Sequence, residues 1–178
     1  YKIYGGGEIK VDYCYKNLKV KNVPRLGITL EMPKHFSNVK YFGYDMLTLS
    51  DFKEQSVFGI PQLKVSDMHE VYVKPQESGM RYNTYWAELT DDNGFGLKFE
   101  SENAFVFNAN HFNALQCAKS NHAEDLKEYD TTAVHIDGYM LGAGSNACGP
   151  APFDEHKKVW VTEYRNNFVV KPIGNENV

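Results

Sequence analysis

Two stretches of this 178-residue sequence carry residue types at spacings that could do chemistry. The first is Tyr72-Val73-Lys74-Pro75-Gln76-Glu77-Ser78-Gly79-Met80-Arg81. Proline presets a turn and glycine suits its close. Such a turn is expected to hold Glu77 and Arg81 together, and a buried carboxylate–guanidinium pair makes strong charge-assisted hydrogen bonds. The pair could orient a functional loop or only fix a turn. The second stretch is Asp137-Gly138-Tyr139-Met140-Leu141-Gly142-Ala143-Gly144-Ser145-Asn146-Ala147-Cys148-Gly149-Pro150. Its small residues let the backbone approach a ligand or a neighbouring domain closely. Ser145 and Asn146 could bond to hydroxyls, although a plain connecting loop would look similar.

Other reactive types do not assemble into a pattern. The acidic pairs Asp91-Asp92, Glu124-Asp125 and Asp154-Glu155 lie in polar runs and read as turn and surface charges. His111, His122 and His135 are not at metal-ligand spacing, and His135, within an apolar run, reads as a hydrogen-bonded structural residue. Gly5-Gly6-Gly7 lacks the spacing and following helix of a phosphate loop. Cys14, Cys117 and Cys148 are odd in number and widely spaced, which suits free thiols in a reducing compartment and a cytoplasmic location. No cofactor is called for.

The elements that must position these stretches are strands. Glu8 to Tyr15 and Leu26 to Met32 alternate with a period of two, and Val39 to Tyr44 is a short apolar-aromatic run. Val71-Tyr72-Val73 is followed by Pro75, which makes it an edge or a loop. Tyr85 to Leu89 and Phe95 to Phe99 flank Asp91-Asp92-Asn93-Gly94 and predict a hairpin, with Asn-Gly supplying positive φ angles. Further strands are expected at Ala104 to Phe107, Ala133 to Ile136, Val159 to Tyr164 and Phe168 to Val170. Trp86 and Trp160 alternate with core positions and read as packing residues. Asn113 can cap one short, peripheral helix. Strands in sequence joined by turns indicate an antiparallel sandwich.

Bulk properties bound the rest. A chain of this length buries roughly 70% of its unfolded surface, and 42% hydrophobic residues can supply a core. The net charge of −4 gives no support for nucleic-acid binding. No apolar run approaches the ~20 residues of a membrane helix. The chain opens on Tyr1 rather than Met, so it is expected to be a piece of a longer protein.

Pro75-Gln76-Glu77-Ser78-Gly79-Met80-Arg81 resembles the P-Q-E-N-G-x-R signature in the last domain of family 2 β-galactosidases. Asp137-Gly138 and Gly142 to Pro150 resemble that domain's second signature, G-x-G-S-x-S-C-G-P. Order and separation agree, the hairpin falls where the family has one, and the resemblance runs from about Arg25 to Val161. One departure stands out: Gly43 to Lys53 keeps the terminal Gly and Lys of a G-x-G-P-x-E-x-Y-x-D-K/R stretch but replaces its central Glu, Tyr and Asp.

The resemblance implies an all-β, mostly antiparallel β-sandwich of galactose-mutarotase-like type, present here as a partial domain. Residues 1–178 would form a C-terminal domain lacking its N-terminal strands and the catalytic barrel. It implies that Cys148 stands where some relatives carry a tryptophan that stacks on the sugar, with Ser145 and Asn146 shaping the loop. Glu77, Gly79, Arg81, Asp137, Gly142 and Gly144 are the motif's structural residues. The catalytic glutamates of the family lie in a preceding barrel, so none is expected here and the isolated piece is expected to be inactive. Expected partners are that barrel, a galactoside reached through the parent enzyme, and further copies of the chain in a homo-oligomer. A stand-alone carbohydrate-binding or mutarotase-like module is the alternative reading.

Overall fold

Strand β2 (Ile9–Lys16) shows how alternation becomes a layer: Val11 is buried in the core and its neighbour Asp12 is exposed. The same logic runs through β1 (Lys2–Ile3), β3 (Arg25–Pro33), β4 (Asn38–Tyr44), β5 (Phe58–Gly59), β6 (Gln62–Lys64), β7 (Arg81–Thr90), β8 (Gly96–Asn110), β9 (Thr131–Met140) and β10 (Glu163–Ile173). The computed structural model describes residues 1–19, 23–45, 50, 52–141, 153–156 and 162–174. Every strand pairing among them is antiparallel.

The strands follow the path β1-β2-β10-β8-β7-β4-β5, with β6 beside β4 and with β9 joining β8 to β3. Strand β8 organises the whole. Its first half, Gly96 to Glu100, lies between β7 and β10; its second half, from Val106 to Asn110, pairs with β9. β10 and β9 therefore leave the same edge of β8 and diverge into two layers. Their inner faces meet in one core, where Val11, Phe168 and Val170 pack with Met32, Val134 and Ile136. Tyr41, Phe99, Phe107 and Phe168 are fully buried there, each worth roughly 1.5–3 kcal/mol of burial. The fold is the expected all-β antiparallel sandwich.

Local expectations fare unevenly. The hairpin joins β7 to β8, but Gly94 (φ +85°) rather than Asn93 takes the left-handed conformation. Asp91 builds the rest of the turn, its carboxylate accepting from the backbone N–H of Asn93 at 2.8 Å and Phe95 at 3.0 Å. The second arm of the hairpin starts one residue later than expected, at Gly96, and runs without a break through Ala104 to Phe107 as one long strand, with the Ser101 hydroxyl donating to the Asn167 carbonyl in its polar middle. Phe168 to Val170 lies within β10, which runs centrally between β2 and β8. Val71 to Val73 is an exposed loop. The helix (α1, Ala114–Lys119) forms with Asn113 as its cap, accepting from Gln116 N–H at 3.0 Å. Residues 157–161, including Trp160, lie outside the described residues.

Strand β3 pairs only with β9 among the described strands. Beside it opens an apolar groove of 310 Å³, lined by Ile9, Val11, Ile28, Leu30, Phe168 and Val170. No helix of the described residues is long and apolar enough to cross a membrane.

Candidate functional site

The first signature is a loop pinned from below. Ser78 is buried; its hydroxyl accepts from the Glu70 N–H at 3.0 Å and lies 2.8 Å from His69 Nδ1. Its carbonyl accepts from the amides of Asn108 (2.9 Å) and Asn110 (3.2 Å) on β8. Gly79 follows with φ +91°, and a Cβ there would collide with the Met68 carbonyl. Only glycine fits both conditions.

That glycine turn separates Glu77 from Arg81, and the expected Glu77–Arg81 pair does not form. Arg81 opens β7 with its side chain turned inward, 4% exposed. Its Nε donates to the Tyr41 hydroxyl at 2.9 Å and a terminal nitrogen donates to the Gly79 carbonyl at 3.0 Å. The Tyr41 hydroxyl in turn donates a hydrogen bond to the Tyr44 carbonyl at 3.0 Å, and burial raises its pKa while Arg81 opposes the shift. Arg81 thus ties β7 to β4 inside the core.

Glu77 turns to another cation. Its Oε1 lies 2.5 Å from Arg25, the first residue of β3. The Nε of the same guanidinium lies 2.9 Å from Oδ2 of Asp137. Arg25 therefore joins the two signatures, and the sequence reading passed over it. The signal was faint: one basic residue heading an apolar strand, with Gly27 two positions on. Gly27 sits at the β-bulge opposite Asp137, where a Cβ would run into the Asp137 carboxylate and backbone.

Asp137 is fully buried, and neither of its oxygens has a well-aligned hydrogen-bond donor. Burial pushes its pKa up to about 7; Arg25 pulls it back and Glu77 pushes it further up. His135 lies on the same strand, its Nδ1 3.0 Å from the Thr29 hydroxyl and 3.3 Å from Arg25. Because a guanidinium can only donate, Nδ1 must accept and the ring is neutral. Burial, with Arg25 adding, lowers its pKa to about 4. It is a structural histidine, as its apolar surroundings suggested.

Beyond Asp137 the strand continues to Met140, paired with Arg25, and the Leu141 N–H donates to the Pro24 carbonyl at 2.9 Å. A cavity of 240 Å³ opens beside this strand end, where Tyr82, Asn83, Gly138, Tyr139, Glu155 and His156 contribute to its wall. Gly142, Gly144, Ser145, Asn146 and Cys148 lie outside the described residues.

A hydrolytic carboxyl pair needs roughly 5–5.5 Å between two groups that both face the sugar. Glu77 and Asp137 share one guanidinium, and Asp137 is closed to solvent. They form a lock rather than an acid–nucleophile pair. Among the described residues no group of three His, Cys, Asp or Glu side chains could hold a metal ion.

A sandwich whose two signature stretches meet on one arginine can be set beside known proteins. The family model for the β-galactosidase small chain matches residues 1–170. The chain belongs to the β-galactosidase small-chain family. A β-galactosidase of Staphylococcus xylosus is 33% identical over 154 residues, covering 81% of this chain and 15% of that protein. Those of Actinobacillus pleuropneumoniae and Streptococcus thermophilus are each 30% identical, over 88% and 85% of this chain. The chain spans about 15% of the length of these relatives.

Proposed function

We propose that residues 1–178 are the C-terminal domain of a family 2, retaining β-galactosidase that hydrolyses terminal β-D-galactosides in the cytoplasm. In this reading a barrel domain of the same polypeptide supplies both catalytic carboxylates, one as acid/base and one as nucleophile. The small-chain domain contributes the second-signature loop to the wall of the sugar site. In this reading Cys148, Ser145 and Asn146 are its substrate-binding residues. A thiol offers less stacking area than an indole, so the platform under the leaving group is weak. The single observation that carries the reading is the joining of Glu77 and Asp137 by Arg25. It accounts for these two carboxylates as scaffold, which supports a reading in which the bond-breaking acids come from another domain.

The isolated 178 residues should give no turnover of a chromogenic β-galactoside, whereas the full-length parent should. Hydrolysis by the isolated chain, purified free of host enzyme, would overturn the reading.

A further inference from the structure

The pairing of β7 with β8 breaks at one level of the sheet. Trp86 pairs with Glu100 and Thr84 with Phe105, so Ser101 to Ala104 stand opposite Tyr85 alone. Such irregularities bend a strand and re-aim its side chains. Thr84 is buried, whereas Tyr85 is 38% exposed and lines the same groove as Trp86. The Ser101 hydroxyl, already bonded to the Asn167 carbonyl, accepts from the Asn103 N–H at 3.3 Å and shapes the displaced segment.

The groove at this break has a volume of 420 Å³, with Lys10, Tyr85, Trp86, Glu100, Glu102 and Asn167 along it. Its rings are held in place. Tyr85 packs against Phe42 and Phe58, with centroids 5.8 and 6.2 Å away, and Lys98 Nζ sits 4.9 Å from the Trp86 centroid. A second hollow of 340 Å³ shares Asn167 and is lined by Asp12, Asn103, Arg165 and Asn166. The two hollows form one trough across the outer face of β2, β10, β8 and β7.

Charge selects what fits the trough. Lys10 lies 3.9 Å from Asp12, Arg165 lies 2.6 Å from Glu163, and Lys171 pairs with Glu100. An anionic ligand would have to break one of these pairs and approach Glu102. The amides of Asn103 and Asn167 can both donate and accept, which suits hydroxyl groups. Aromatic walls with a few placed polar groups suit a ligand that is apolar on one face and polar at its rim. A pyranose ring has that form, and two adjoining hollows suit more than one ring.

We propose that this trough binds a neutral oligosaccharide, with one pyranose stacked on Tyr85 beside Trp86 and the next units passing Asn167 toward Asn103. The inference goes beyond the reading above and uses none of the residues on which that reading rests.

The test titrates β-1,4-galactotetraose into the isotope-labelled 178-residue chain and follows its amide spectrum. Shifts should saturate with a Kd on the order of 1 mM and centre on Tyr85, Trp86, Glu102, Asn103 and Asn167. Tyr85→Ala should weaken binding about tenfold, the upper size of one aromatic contact. Glu102→Gln, at an exposed position, should weaken it about threefold, the size of one modest hydrogen bond. Tyr129→Ala removes a comparably open ring, 43% exposed, from another part of the surface and should change nothing. Three results overturn the proposal: no saturable shift up to about 10 mM, shifts centred elsewhere, or a folded Tyr85→Ala that binds like the parental chain. Each spectrum reports folding as well, and Glu102→Gln decides the matter if Tyr85→Ala does not fold. Turnover of a chromogenic β-galactoside by the same sample would overturn the earlier reading and leave this one standing.

Discussion

Arg25 and Asp137 meet across a β-bulge, Nε 2.9 Å from Oδ2, in a space that exists only because residue 27 has no side chain. The carboxylate is fully buried, and its attraction to the guanidinium offsets part of the cost of removing it from water. The bulge, the glycine and the ion pair form one device, and each part requires the other two.

Gly27→Ala should therefore be far worse than an ordinary strand substitution. A methyl group must displace either the Asp137 carboxylate or the β9 backbone, and overpacking of this kind costs about 1–3 kcal/mol or more. Urea denaturation should show a loss at the top of that range. A near-neutral Gly27→Ala would mean that the bulge relaxes freely.

The pH dependence of stability should carry two opposed contributions. Folded Asp137 keeps its proton up to about pH 7, while the unfolded carboxyl loses it near 3.8, so the folded state binds more protons between these values. Stability from this group is full below about 3.8 and is lost as pH rises through 7. His135 acts in the other direction. Its folded pKa of about 4 lies below the ordinary 6.5, so stability is full above 6.5 and is lost as pH falls toward 4. Between pH 4 and 6.5 the two slopes oppose each other. Asp137→Asn should unmask the histidine slope, with stability rising to pH 6.5. His135→Gln should steepen the decline toward pH 7. Urea midpoints measured across this range check both signs, and parallel profiles in all three proteins would refute the assignment.

Tyr41→Phe removes the acceptor of a buried Arg81 N–H without changing shape. An unsatisfied buried donor costs about 1–3 kcal/mol, and more when it is charged. The thermal midpoint should drop accordingly, and Arg81→Met in the Tyr41→Phe background should cost less than it does alone. Strict additivity would show that the two side chains do not act together.

What was legible in the sequence was local. Asn113 caps its helix three residues away, and Asp91 and Gly94 shape a turn within five residues. Strand alternation gave the sandwich because each inward residue answers to one continuous core. The Glu77 partner was not legible. Proximity along the chain suggested Arg81, but the left-handed Gly79 turns the chain so that Arg81 enters the core and Glu77 faces Arg25. A long-range ion pair leaves no periodic trace, and Arg25 stands far from both acids in the sequence. The Cys148 expectation concerns residues outside those described, and kinetics of the parent enzyme are its proper test.

The isolated chain should self-associate as its concentration rises. Among the described strands β3 pairs on one side only, and the groove beside it is lined by apolar side chains that would gain by being covered. Light scattering over a dilution series reads this directly, and a constant monomer mass would show that the edge is well protected.

Strand β8 sets the cooperativity of the whole. Its two halves belong to different layers but form one continuous strand, so neither sheet can open far without loosening a strand that the other shares. Amide protons at Phe99 and Phe107, in opposite halves, should then exchange through the same global opening and report the same free energy. The short β1, which among the described strands pairs with β2 alone, should fray at far lower cost. Unfolding of the described strands should then be all-or-none, because the two layers share a strand.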